Sequence, residues 1–131
     1  VLGIDVSSKM IEVANEKYAA DDRVSFMAID AIDIDASDCF DSVVIYNAYP
    51  HFMDRPALAS KVAQCLVPGG RFVVAHGMGK DTINSHHGSV PEDVTLGLRS
   101  AELESEIWRE RFEIDAIVDT PFFYAFAGIK R

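Results

Sequence analysis

Apolar and polar positions alternate along this chain in short strand-like and longer helix-like segments. Apolar, β-branched runs bounded by turn residues predict strands, and these runs are Val1–Asp5, Val24–Ile29, Phe40–Tyr46, Arg71–His76, Phe112–Asp119 and Phe122–Ile129. The run Phe40–Tyr46 is apolar on both faces, which predicts a central strand. Because strands alternate with helical patterns, the chain is predicted to be an α/β domain with a mostly parallel sheet.

Each predicted helix begins at a residue suited to N-capping. Ser7 or Ser8 precedes the first helix, Asp54 precedes the second with Pro56 in its first turn, and Ser100 precedes the third. Short polar side chains at these positions accept hydrogen bonds from the first free backbone N–H groups of a helix. In the third helix the apolar residues predict which side chains point inward (Leu103, Ile107 and Trp108) and which point outward (Glu102, Glu104 and Glu106).

Turn signals separate these elements. Pro68-Gly69-Gly70 predicts a stop and a turn between the second helix and the next strand. The segments Ala31–Asp38 and Gly77–Leu98 are interpreted as a loop or short edge strand and as an irregular region. The Thr120-Pro121 connection is so short that the two last strands must be antiparallel.

Composition narrows the class of protein. The chain has 131 residues with 49% hydrophobic and 25% charged residues, which indicates one globular domain covering 1–131. Its net charge of -9 disfavours a nucleic-acid partner. No apolar run is long enough to span a bilayer, so no membrane partner is expected. Two isolated cysteines are typical of reduced thiols, and a cytoplasmic location is expected.

Acidic residues end two of the predicted strands. Asp5 and Asp30 each close a strand that precedes a turn. A carboxylate at such a strand end can accept hydrogen bonds from the hydroxyl groups of a ribose, and it is also a strong acceptor for an amino group. The alternative for Asp5 is a strand-terminal acid or a charge flanking the helix. The alternative for Asp30 is one more acid in an acid-rich loop, where Asp33 and Asp35 are close competitors.

The loop after Phe40–Tyr46 carries a second group of candidates. It reads Asn47-Ala48-Tyr49-Pro50-His51 and follows the carboxyl end of a strand, where loops line ligand sites in α/β folds. His51 is a candidate general base because imidazole exchanges protons near neutral pH, although a surface or packed histidine without a catalytic role is the simpler reading. Asn84-Ser85-His86-His87 is a candidate for part of a substrate lid, although a loop with no role in the site is the simpler reading. No metal site is expected there, since adjacent histidines lack further ligands at suitable spacing.

The order of these motifs resembles class I S-adenosylmethionine (SAM)-dependent methyltransferases. The resemblance is carried by Gly3-Ile4-Asp5, Val24–Asp30, Phe40–Val44 and Leu66–Arg71. It implies a Rossmann-like fold with an antiparallel C-terminal strand, SAM as cofactor and a small-molecule substrate. It also implies cofactor-binding roles for Asp5 at the ribose, for Asp30 and the backbone of Ala31 at the adenine, and for Asn47 in the loop lining the site. Asn47-Ala48-Tyr49-Pro50 departs from the Asn/Asp-Pro-Pro-aromatic motif of enzymes that methylate nucleic-acid amino groups.

The family's first strand and its glycine-rich SAM loop are not found in these 131 residues. The fold is therefore expected to be N-terminally incomplete, with weakened cofactor binding, because close backbone approach to the methionine end needs those glycines. A non-catalytic methyltransferase-like interaction or assembly module is the alternative. A nicotinamide-dependent reductase is disfavoured, since the chain has neither a glycine fingerprint nor a Tyr-x-x-x-Lys pair.

Without a strand between them, Val1–Asp5 and Phe40–Tyr46 would expose unpaired backbone groups. Two remedies are physically available. The two strands pair directly, or a second copy of the chain supplies the missing contacts. The homodimer is the favoured expectation, since exposed strand edges and uncovered apolar surface promote self-association.

Overall fold

A computed structural model describes residues 1–87 and 97–131. The chain divides into two compact units, Val1–Asp35 and Ala36–Arg131. The first unit contains β1 (Leu2–Asp5), α1 (Ser8–Lys17) and β2 (Ser25–Ala28), and β1 and β2 are parallel. A 3₁₀ turn at Ala31–Asp33 follows β2, where the sequence indicated a loop or short edge strand.

The first unit packs around one aromatic ring rather than a buried core. Gly3 in β1 lies opposite Phe26 in β2, and a Cβ on Gly3 would come within 2.7 Å of the Phe26 ring. The Phe26 ring also lies 5.8 Å from that of Tyr18. Glycine at position 3 therefore gives the aromatic side chain room against the strand backbone.

The second unit is built on a four-stranded sheet with order β3-β4-β6-β5. Its elements are β3 (Phe40–Tyr46), α2 (Arg55–Cys65), β4 (Leu66–His76), α3 (Lys80–His87), α4 (Ala101–Trp108), β5 (Phe112–Asp119) and β6 (Tyr124–Lys130). β3 and β4 are parallel, whereas β6 is antiparallel to both of its neighbours. The predicted α/β architecture with parallel strands and an antiparallel C-terminal strand is confirmed.

The prediction that β3 is a central strand is wrong. Among the described residues β3 pairs with β4 alone and forms an edge of the four-stranded sheet. Two of its side chains, Val44 and Tyr46, are 66% and 57% exposed. Among the described residues the strand partner of β1 is β2, within the first unit.

The Pro-Gly-Gly segment is a bulge inside β4 instead of a separate turn. Between Phe40↔Leu66 and Ser42↔Arg71 the partner strand advances five residues while β3 advances two. Gly69 has φ +80°, a conformation that glycine adopts at little cost. α2 ends at Cys65, and β4 begins with the next residue, Leu66. The bulge accommodates the additional residues of β4 that have no partner in β3.

The region between β4 and α4 is more regular than the sequence indicated. Residues Lys80–His87 form α3, where an irregular segment was expected. The lid proposed for this region extends into residues 88–96, which lie outside the described residues. In the ranges 1–87 and 97–131, no helix is long and apolar enough to cross a membrane.

The antiparallel pair of β5 and β6 is confirmed, with its turn two residues longer than expected. Thr120 donates its N–H to the carbonyl of Phe123 at 2.9 Å, and its hydroxyl accepts from the N–H groups of Phe122 and Phe123. The strand β6 consequently begins at Tyr124 rather than at Phe122.

An aromatic core fills the second unit on one face of its sheet. The rings of Phe72 and Trp108 stack with centroids 4.2 Å apart, and Phe112 and Phe126 pack edge-on against Phe72. All four side chains are fully buried. Because α4 carries Trp108, this cluster fixes the helix against the sheet.

Candidate functional site

Asp5 and Asp30 lie at the same edge of the β1–β2 pair. The strands are parallel, Asp5 ends β1, and its carbonyl accepts from the N–H of Ile29 at 3.0 Å, one residue before Asp30. The carboxyl ends of parallel strands are where α/β proteins bind ligands. The structure thus brings together the two acids that the sequence singled out.

Each carboxylate is oriented by one local hydrogen bond. One oxygen of Asp5 accepts from the Ser7 N–H at 2.8 Å, and one oxygen of Asp30 accepts from the Ile32 N–H at 3.1 Å. Their other oxygens have no partner in the described part of the chain. Both residues are exposed, so each presents a fixed acceptor to solvent.

Ala31 is the first residue of the 3₁₀ turn, directly after Asp30. The N–H groups at the start of a helical turn have no acceptor within it. Ala31 therefore offers a backbone donor next to the Asp30 acceptor. Such an adjacent donor–acceptor pair suits the edge of a heteroaromatic ring carrying an amino group.

Asn47 connects the carboxyl ends of β3 and β4. It adopts φ 55°, which asparagine tolerates better than most residues. Its N–H donates to the Ala75 carbonyl at 2.9 Å, and its side-chain oxygen accepts from the Gly77 N–H at 3.0 Å. The side-chain oxygen therefore holds the strand ends together, and a cofactor contact through the remaining NH₂ stays a prediction.

His51 ends a short 3₁₀ turn, Tyr49–His51, that follows β3. Tyr49 and Pro50 are buried, whereas His51 is exposed and its N–H donates to the Ala48 carbonyl at 3.1 Å. The burial of Tyr49 therefore determines where the imidazole of His51 is presented. How this turn is anchored depends on residues that the sequence did not single out.

Four buried side chains anchor that turn, and together they are named the Glu104 cluster: Tyr49, Arg55, Glu104 and Trp108. Glu104 forms an ion pair with Arg55, and both side chains are almost completely buried. The Tyr49 hydroxyl donates to Glu104 at 3.4 Å and accepts from the Trp108 indole N–H at 3.3 Å. The Arg55 guanidinium lies 4.7 Å from the Tyr49 ring centroid, within cation–π range.

Burial raises the pKa of Tyr49 well above its ordinary range, and the nearby Glu104 carboxylate adds to this effect. The hydroxyl consequently keeps its proton and acts as a donor to Glu104. A buried carboxylate needs several such donors to offset its lost hydration. Tyr49 is therefore fixed by hydrogen bonds at one end and by aromatic packing along its ring.

The same cluster holds the segment 97–99. Arg55 donates to the Gly97 carbonyl at 3.2 Å, and the Arg99 N–H donates to Glu104 at 3.2 Å. The hydroxyl of Tyr124 donates to the Arg99 carbonyl at 2.9 Å. The ends of two loops at the carboxyl edge of β3 and β4 are thus joined through one buried carboxylate.

The predicted orientation of α4 is wrong for two residues. Glu104, predicted to point outward, is fully buried, and Leu103, predicted to point inward, is 47% exposed. The buried positions are Ala101, Glu104, Ser105 and Trp108, which recur at the i, i+3, i+4, i+7 spacing of a helix face. The same spacing is present in the sequence, but it places the Glu104 carboxylate in the core. Burial of that carboxylate could be predicted only if its pairing with Arg55 were known.

Residues 1–74 match a family described as a methyltransferase domain. The chain belongs to this methyltransferase family. It is 31% identical over 90 residues to the O-methyltransferase cnsE of Penicillium expansum, covering 66% of this chain and 31% of that protein. It is 34% identical over 104 residues to the uncharacterized methyltransferase C1347.09 of Schizosaccharomyces pombe, covering 71% of this chain and 36% of that protein. The chain therefore spans about a third of the length of these curated relatives.

The fold is that of class I SAM-dependent methyltransferases. The structure of the N-methyltransferase NodS from Bradyrhizobium japonicum, in complex with S-adenosylhomocysteine (SAH), matches with a TM-score of 0.75 at 16% identity. The match covers 98% of this chain and 65% of that one. The predicted family and fold are confirmed, while the roles of Asp5, Asp30, Ala31, Asn47 and His51 stay predictions.

Within the described ranges, no three His, Cys, Asp or Glu residues group closely enough to hold a metal ion. The side chains of His86 and His87 lie outside this description.

The Glu104–Arg55 pair makes a testable contribution to stability. Glu104→Gln removes the buried negative charge and leaves the Arg55 guanidinium without its counter-ion, which costs about 3 kcal/mol or more. Urea unfolding followed by the fluorescence of Trp108, the only tryptophan, measures this loss. Glu106→Gln is the matched control on the same helix, because Glu106 is exposed and its replacement should change stability by at most about 0.5 kcal/mol. Equal stabilities of the two variants would contradict a structural role for the pair.

Proposed function

We propose that the protein transfers a methyl group from SAM to a small-molecule acceptor. The observation that carries this proposal is the pair of oriented acids, Asp5 and Asp30, at one carboxyl edge of two parallel strands in a chain of the methyltransferase family. When bound, SAM supplies an activated methyl group. The chain's own contribution is then to bind, to orient and to exclude water.

The residues of the first unit fit the nucleoside part of SAM. The second oxygen of Asp5 would accept from the ribose hydroxyls. Asp30 would accept from the adenine amino group while the Ala31 N–H donates to the ring. These three contacts use the groups that the fold leaves without partners in the described residues. The proposal also gives Asn47 a cofactor contact through its side-chain NH₂. The Gly77 N–H donates to the oxygen of the same amide and so fixes the orientation of the NH₂ group.

His51 would hold the proton that a hydroxyl acceptor loses as its oxygen is methylated. Its exposure on an anchored turn supports this role. An oxygen acceptor is also the chemistry named for the Penicillium expansum relative, an O-methyltransferase. The proton would move from the acceptor hydroxyl to an imidazole nitrogen as the new C–O bond forms.

Binding of SAM by these 131 residues is proposed to be weak. The sequence has no glycine-rich loop between a strand and a helix, and such loops let the backbone approach a ligand closely. A chain that binds neither SAM nor SAH would instead favour the non-catalytic interaction module. Titration with SAH therefore separates a methyltransferase from a non-catalytic interaction module.

The Asp5 contact predicts a loss of affinity in Asp5→Asn. The asparagine keeps an oxygen for the Ser7 N–H but loses the charge and the second carboxylate oxygen, so SAH binding should weaken by about 1.5–3 kcal/mol. Calorimetric titration with SAH measures this change. Asp22→Asn is the matched control, because Asp22 is an exposed acid in the connection between α1 and β2. Unchanged affinity in Asp5→Asn would remove Asp5 from the site.

The role of His51 predicts a change in the pH dependence of turnover. With a hydroxyl acceptor, loss of the general base in His51→Gln should flatten the pH profile of turnover and lower the rate by roughly 100-fold. Initial rates between pH 5.5 and 8.5 test this expectation. A variant with the wild-type profile would show that His51 is not the base.

A homodimer is also proposed. Support comes from β3, an edge strand that exposes Val44 and Tyr46, because such edges promote association. Sedimentation at tens of micromolar should show a dimer that Val44→Lys dissociates. Val118→Lys, the same change on the edge strand β5, should leave it intact. A monomer in the unmodified chain would rule out the dimer.

The proposed setting is the cytoplasm, with no nucleic-acid or membrane partner. Cys39 and Cys65 are free thiols, which a reducing compartment preserves. The net charge of -9 opposes binding to phosphate backbones and to anionic lipid surfaces.

A further inference from the structure

An open groove lies beside the Glu104 cluster. It has a volume of about 380 Å³, in the range of small-molecule sites. Its lining residues come from the start of α2, the segment before α4 and α4 itself: Met53, Arg55, Pro56, Gly97, Arg99 and Ile107. One lining residue, Met53, is two residues after His51, the proposed proton acceptor, in the sequence.

Two guanidinium groups in the groove lining, those of Arg55 and Arg99, form ion pairs with the buried carboxylate of Glu104. Arg55 is buried and already bonded to Glu104 and to the Gly97 carbonyl. The Arg55 guanidinium therefore stabilises the fold and is not proposed to bind the ligand.

Arg99 is placed differently. Its side chain is 54% exposed, and one guanidinium nitrogen forms an ion pair with a Glu104 oxygen at 3.5 Å. Among the described residues this single contact leaves most of its five N–H donors for a ligand. Planar guanidinium donors match the geometry of carboxylate and phosphate oxygens.

The rest of the groove wall is largely apolar, since Met53, Pro56 and Ile107 contribute hydrocarbon surface. The net charge of -9 does not cancel a local cation of this kind. At physiological ionic strength charges are screened beyond about 8 Å, so an anion inside the groove interacts chiefly with the nearest groups.

We propose that this groove binds an acidic group, carboxylate or phosphate, on an otherwise apolar methyl acceptor, with Arg99 as the residue that selects for it. The inference rests on the proposed function for the identity of the ligand as a methyl acceptor. The binding chemistry itself rests only on the groove. The acid contacts Arg99, and the apolar part of the ligand packs on Met53, Pro56 and Ile107.

Arg99→Gln is a sharp test because Arg99 holds the local fold through its backbone. Its N–H bonds to Glu104 and its carbonyl accepts from Tyr124, and neither contact uses the guanidinium. Arg109→Gln is the matched control. Arg109 is an exposed arginine at the end of α4, outside the groove lining, and its loss changes the net charge equally.

The probes are 4-hydroxybenzoate, its neutral counterpart 4-hydroxybenzamide, and phenyl phosphate. The reporter is the indole N–H resonance of Trp108, the only tryptophan, which donates to Tyr49 beneath the Arg55 guanidinium. Saturable shifts are expected with the two anions and not with the amide. Arg99→Gln should weaken anion binding roughly tenfold or more, while Arg109→Gln should not. The ratio of the two anion affinities assigns carboxylate or phosphate as the preferred group.

Equal binding of 4-hydroxybenzoate and 4-hydroxybenzamide, an absence of anion binding, or an unchanged affinity in Arg99→Gln would overturn the inference. SAH titration of the same samples separates it from the proposed function. Anion binding without SAH binding supports the anion site in the groove and rejects the methyltransferase proposal. SAH binding without anion binding supports the methyltransferase proposal and rejects the anion site.

Discussion

The buried ion pair between Glu104 and Arg55 is the constraint on which the carboxyl edge of the second unit depends. A buried pair of charges adds little net stability, because desolvation offsets most of the attraction, but loss of one partner is costly. The pair therefore acts chiefly by fixing geometry. It holds α2 against α4, orients Tyr49 and, through it, the turn bearing His51, and it keeps the Arg99 backbone in place.

The first unit reaches a defined geometry by other means. It has no fully buried side chain, and its order comes from the parallel ladder of β1 and β2 and from acids that bind nearby backbone N–H groups. Asp5 binds the Ser7 N–H, and the Ser7 hydroxyl in turn caps α1. The carboxylates proposed to contact the cofactor thus also hold the backbone where the next helical segments start. A carboxylate has several acceptor positions, so one residue can perform both tasks.

The sequence predicted the strands, the capping residues Asp54 and Ser100, and the antiparallel C-terminal pair, because these depend on local patterns. For the first helix it offered Ser7 or Ser8, and Ser7 is the cap. It failed where a partner distant in the chain decides the outcome. Glu104 is buried because Arg55, 49 residues earlier, supplies its counter-charge. β3 was expected to be central from its apolar pattern, but strand order is a property of the whole sheet. Of the candidate site, the residue types were predictable, while the Glu104 cluster and the groove were not.

The polar groups of this chain divide into two classes according to where their hydrogen bonds end. The Asn47 side-chain oxygen and Glu104 bond to other parts of the fold, and replacing them should first affect stability. Asp5 and Asp30 each retain a free acceptor oxygen in the described residues, and Arg99 retains donors. A ligand for the first unit must therefore bring donors, as a ribose and an adenine amino group do. A ligand for the groove must bring acceptors, as a carboxylate or phosphate does. This opposite chemistry is what the proposed methyl transfer needs in order to distinguish SAM from the methyl acceptor.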